Sequence, residues 1–111
     1  MITNQWISGN VWWGGTARII ADLGINELQA IRNKKVAVII EKKRHIIHCE
    51  NDIRSLQERA ANISGHNERL HQENQHAQEK IDRQIADAKV YIDWFGREVA
   101  QIEAELEKRT V

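Results

Sequence analysis

Apolar residues recur at helical spacing along two long stretches of the chain, and a short polar interval separates them. In the first, Ile46, Cys49, Ile53, Leu56, Ala60 and Ile63 alternate by steps of three and four. That spacing keeps one stripe of a helix against a partner. The second carries Leu70, Asn74, Ala77, Ile81, Ile85, Ala88, Ile92, Phe95, Val99, Ile102 and Leu106. Two successive steps of four at Ala77–Ile81–Ile85 mark a stutter, which locally relaxes a supercoil. Glu50–Arg54–Glu58, Glu79–Arg83–Asp87 and Lys89–Asp93–Arg97 set opposite charges one turn apart on the wet side. Between the stretches, Asn62-Ile63-Ser64-Gly65-His66-Asn67 breaks the pattern. The pattern predicts an antiparallel coiled-coil hairpin over residues 26–111, turning near Ser64. In that register Cys49 faces Ala77, Ile46 faces Ile81 and Leu28 faces Val99.

Asn26 is the expected cap of the first helix, with Gln29 three residues on as its capping-box partner. Val36 to Ile40 form a run of consecutive apolar residues, which also fits a β-strand. The helical pattern on both sides favours helix. Val36, Ile40, Ile47, Val90 and Trp94 make the apolar stripe wider than a two-helix seam needs. A second copy packing there, to give a homodimeric four-helix bundle, is the expected cover.

Ahead of the hairpin, residues 1–15 carry no charged side chain and hold Trp6, Trp12 and Trp13. Gly9-Asn10 and Gly14-Gly15 punctuate this arm as turns, and a full sheet is not expected from it. The arm can bury its tryptophans on the hairpin, or present Trp6, Trp12 and Trp13, with Arg18 beside them, to a partner protein. Residues 16–25 then read as a short helix and turn. Thr16 is its cap, Ala17–Leu23 its body and Gly24 its left-handed terminator. The fold class is therefore all-α and a single domain: a Trp-rich arm, a short helix, and a long helical hairpin.

Composition adds three constraints. The chain has 111 residues and no proline, which suits long uninterrupted helices. Its one cysteine rules out an intrachain disulfide, and a reducing, cytoplasmic setting is the default expectation. No apolar run approaches a membrane span and no basic n-region opens the chain, so no membrane association is expected. Net charge is zero, yet residues 1–44 hold seven Lys and Arg against three Asp and Glu, so that a positive base is expected.

Candidate chemistry is sparse. His45, His48 and Cys49 share spacings that can aim two ligands from one helix, with His76 across the stem. No HExxH or paired-cysteine pattern accompanies them, and His66, His71 and His76 read as polar residues of the tip. Neither metal nor cofactor is expected. Cys49 fills a seam position, Gly14-Gly15 lacks the rest of a phosphate loop, and carboxylates pair only in surface ladders. The chain does not read as an enzyme.

Leu23-Gly24-Ile25-Asn26, within the stretch from Arg18 to Lys35, resembles the turn of a helix-turn-helix motif. The chain departs from that motif at Ile20, where a small residue is usual, and at Ala30, where a β-branched one is common. The resemblance implies a DNA-binding regulator in which Arg18, Arg32, Lys34 and Lys35 reach phosphate or bases. The first reading remains a non-enzymatic interaction protein of adaptor or inhibitor type, of the kind that phage and mobile elements encode. It would bind a protein partner through the Trp-rich base of the hairpin.

Overall fold

The computed structural model describes residues 8–63, 65 and 67–110; Trp6, Ser64 and His66 lie outside them. Two long helices, α1 (Ile25–Asn62) and α2 (Glu68–Thr110), pack against each other, as the heptad pattern predicts. Asn67 caps α2: its Oδ1 accepts the Leu70 N–H at 3.2 Å, satisfying a donor the first turn leaves free. The Val36–Ile40 run is helical within α1. The expected seam residues are buried or half-buried, apart from the exposed Leu70.

The N-terminal region departs from expectation. Residues 16–23 form no α-helix. β1 (Asn10–Trp13) and β2 (Thr16–Ile19) make an antiparallel hairpin, followed by a 3-10 turn at Ile20–Asp22. Gly14 and Gly15 both have positive φ, 63° and 80°, as a two-residue hairpin turn of the primed type requires. Thr16 is thus the first residue of a strand and not a helix cap. Gly24 is not a left-handed terminator either, since its φ is not positive. Its carbonyl accepts the Leu28 N–H at 2.9 Å and so opens α1, which places Asn26 inside the helix.

The chain divides into two compact units, residues 1–41 with 90–111, and residues 42–89. In the first, Val11, Ile20, Leu23, Leu28, Ile31, Ile102 and Leu106 form one core with Trp13 packed against it. β1, the 3-10 turn and both helices contribute to it, so residues 10–23 are part of this fold and not an appendage. In the second, α1 and α2 meet through smaller contacts. Cys49 approaches Gln84 at 3.7 Å, more than a helical turn beyond the expected Ala77, and Asn74 reaches the Leu56 carbonyl at 2.9 Å.

The expected positive base is also absent. The first unit holds seven Lys and Arg against eight Asp and Glu, and the second nine against eight. Antiparallel pairing brings Asp93, Glu98, Glu103, Glu105 and Glu107 into the unit that holds the basic first segment, which cancels the gradient along the chain.

Candidate functional site

Lys35 on α1 and Glu98 on α2 are both buried, with side chains 6% and 1% exposed. Lys35 continues the stripe of Leu28 and Ile31, and Glu98 lies between Phe95 and Ile102 on the stripe of α2. Each charge therefore points into the apolar interior of its unit. Isolated there, either would be strongly destabilising. Lys35 Nζ instead donates to Glu98 Oε1 at 3.0 Å and to the Trp12 carbonyl at 2.9 Å, and lies 4.3 Å from the centre of the Phe95 ring. Glu98 Oε2 accepts the Trp12 backbone N–H at 2.6 Å, a short bond of the charge-assisted kind. Both carboxylate oxygens are used.

The strand register explains why Trp12 receives this pair. Ile20 donates to the Gly9 carbonyl at 3.0 Å, which marks Gly9 and Ile20 as a hydrogen-bonded pair. Alternation then makes Val11–Arg18 and Trp13–Thr16 hydrogen-bonded pairs, and turns the amides of Trp12 away from β2. Glu98 and Lys35 occupy that edge and satisfy both groups. Gln101, one turn beyond Glu98, accepts the Gly9 N–H at 3.2 Å and the Ser8 hydroxyl at 3.4 Å. Arg109 closes the other end of the segment. Its guanidinium donates to the carbonyls of Ile20, Ala21 and Leu23, and is itself held by Glu105 at 2.9 Å.

The alternation of side chains sorts Trp12 from Trp13. Val11 and Trp13 face the core, and the Lys34 ammonium lies 5.6 Å from the Trp13 ring centre. Trp12, Ala17 and Ile19 share the opposite face; Trp12 and Ile19 are each 56% exposed, and Ala17 is exposed. A large aromatic thus projects from a backbone fixed at both its N–H and its carbonyl.

The other candidate residues are dispersed. Arg18 pairs loosely with Glu27 at 3.7 Å, and Arg32 with the neighbouring Asn33. With Lys35 buried and no α-helix before Gly24 among the described residues, the helix-turn-helix arrangement is not formed there. Ile40 and Val90 are exposed, and Val36 and Trp94 half-buried, within the first unit; Ile47 is exposed in the second. Cys49 Sγ lies 3.5 Å from His45 Nε2, while His48 and His76 pair with Asp52 and Glu79. Burial, and secondarily the Asp52 carboxylate, push the Cys49 thiol up. Among the described residues, no three His, Cys, Asp or Glu side chains gather as a metal would need, and no helix is long and apolar enough to cross a membrane.

Glu98, Gln101 and Arg109 are the residues that sequence reasoning missed. A signal for the ion pair was present: one lysine and one glutamate interrupt the apolar stripe of their respective helices. No protein-family model matches the chain, and neither a curated protein nor a solved structure shows detectable similarity to it.

Proposed function

We propose that this chain is a non-enzymatic protein-interaction module of adaptor or inhibitor type, and that the outer face of its β-hairpin, centred on Trp12, is the binding surface. The observation that carries this reading is the exposed Trp12 indole on a backbone held at two points. Tryptophan is the side chain most enriched at binding hot spots. A rigid anchor loses little conformational freedom when it binds, so more of its contact energy appears as affinity. Burying a lysine and a glutamate to hold one strand edge makes sense where the placement of that strand matters.

Affinity capture from a cell extract with wild-type protein and with Trp12→Ala tests the reading. A specific partner should be retained by the wild type and reduced by about tenfold or more in the variant, the scale of one hot-spot residue. Equal capture by both proteins would overturn it. Homodimerisation belongs to the same proposal, supported by the exposed Ile40 and Val90 on the helices of the first unit. Light scattering at micromolar concentration should give twice the mass of one chain; a strictly monomeric mass removes the dimer from the proposal.

A further inference from the structure

The register that turns Trp12 toward Glu98 and Lys35 has a counterpart on the other strand. If Trp12 presents its amide to one edge of the hairpin, Ala17 and Ile19 present theirs to the opposite edge. Among the described residues no strand and no side chain takes up these groups. An unpaired row of backbone donors and acceptors is satisfied by another extended backbone, which is the basis of recognition by strand addition. We infer that β2 is a docking edge, and that the partner contributes an extended segment in which an acidic residue is flanked by apolar ones. The inference rests on the proposed function and names the chemistry of the partner at that surface.

Side chains on the two faces of β2 specify the composition. A residue of the incoming strand beside Ala17 or Ile19 lies on the face of the exposed Trp12, where the small Ala17 leaves room for a bulky apolar group. A residue beside Arg18 lies on the other face. There the guanidinium is about two-fifths exposed and is held loosely by Glu27 at 3.7 Å. Several of its donors remain for a second carboxylate.

The same charge argues against self-association through this edge. A second copy of β2, paired antiparallel with Ala17 opposite Ile19, sets Arg18 directly against Arg18 of the other copy. Like charges directly opposite destabilise a strand pair. In that register the edge disfavours a second copy of itself and favours an anionic strand.

Selection of random displayed peptides about twelve residues long against the immobilised full chain tests the inference. Enriched peptides should alternate apolar and acidic residues. The decisive variant is Ile19→Pro. It removes an outward N–H that β1 does not use, and Ile19 has φ −80°, close to the proline value. Binding should fall about tenfold further in Ile19→Pro than in Ile19→Ala, the scale of a lost backbone hydrogen bond in a desolvated interface. Arg18→Glu provides a second test that leaves the backbone unchanged, and should shift the selected peptides from acidic to basic. Peptides that need Trp12 but bind Ile19→Pro as well as Ile19→Ala overturn strand addition and leave the interaction surface standing. Peptides indifferent to Trp12→Ala and Ile19→Pro alike, or no enrichment at all, overturn both.

Discussion

The unit of residues 1–41 and 90–111 buries a lysine and a glutamate, and every charged oxygen of the pair has a partner. In the unit of residues 42–89 the buried polar side chain is Asn74. Its Nδ2 donates to Leu56, while its buried Oδ1 has no partner among the described residues. Their apolar interiors differ in the same direction. The largest fully buried apolar side chains, Leu28, Ile31, Ile102 and Val11, all lie in the first unit, whereas the second has none and buries only Cys49, Asn74 and Ala88 less completely among its described residues. Two helices alone shield little of each other, and a third layer changes that. The hairpin of β1 and β2 supplies this layer, and its amides create the demand for buried charge. Lys35 and Glu98 therefore serve strand placement more than helix pairing.

Removing Lys35 is the strongest way to break the contrast. Lys35→Met leaves Glu98 buried without its cation and the Trp12 carbonyl without a donor. A loss of about 3–5 kcal/mol in unfolding free energy is expected, as for other buried pairs cut on one side. Replacing both charges, Lys35→Met with Glu98→Leu, should recover only part of this, since the Trp12 N–H and carbonyl still lose their partners at about 1–3 kcal/mol for each buried group. Denaturant unfolding measures both variants. Full recovery in the double variant would show the pair to be a helix-pairing feature unrelated to the hairpin.

The opposite sign is expected in the other unit. Asn74→Leu removes a buried oxygen that has no partner among the described residues, and the Leu56 carbonyl keeps its bond within α1. Stability should rise by about 1–2 kcal/mol, read as slower amide exchange in residues 42–89. A buried asparagine in a seam commonly fixes register at a cost in stability, so the variant should also tolerate a shifted helix pairing. If Asn74→Leu destabilises, Asn74 has a partner that completes its bonding, and the two units do not differ in the way described.

The contrast was only half legible in the sequence. Most seam positions of the second unit follow from spacing alone, because a two-helix contact repeats one physical requirement along its length; the register, with Cys49 near Gln84, does not. The first unit obeys several requirements at once. Thr16 and Gly24 flank Ala17–Leu23 as caps would, and local capping chemistry argued for a helix there. The competing signal was Gly14-Gly15 between Val11-Trp12-Trp13 and Thr16-Ala17-Arg18-Ile19, a two-residue hairpin turn between strand formers. Tertiary context decides between them: the hairpin buries Val11 and Trp13 on the helix pair, which a helix at Ala17–Leu23 preceded by a loose arm would not require. Lys35 read as a surface cation because lysine usually is one. Its buried role depends on Glu98 and Trp12, which are far away in the sequence and come together only once the hairpin is in place. The sequence marks Trp12 and Trp13 alike as candidate binding residues, and only strand alternation separates the exposed Trp12 from the packed Trp13.

A smaller effect is expected at Gly96. It lies inside α2 in the well-packed unit, where glycine is unfavourable relative to alanine by about 1 kcal/mol. Its φ is not positive, and a Cβ added there meets nothing within 4 Å, unlike Gly14 and Gly15, whose positive φ disfavours any side chain. Within one chain, then, glycine at 96 is not required, and Gly96→Ala should raise stability by about 0.5–1 kcal/mol. The proposed dimer adds a second reading of the same variant, because a glycine in a helix also permits close approach of another backbone. If the second copy packs at Gly96, the added methyl should weaken the dimer while each chain becomes more stable. Thermal unfolding and light scattering on this one variant separate the two. Higher stability at unchanged mass places the dimer contact elsewhere, and higher stability with loss of dimer mass locates it on this face of α2.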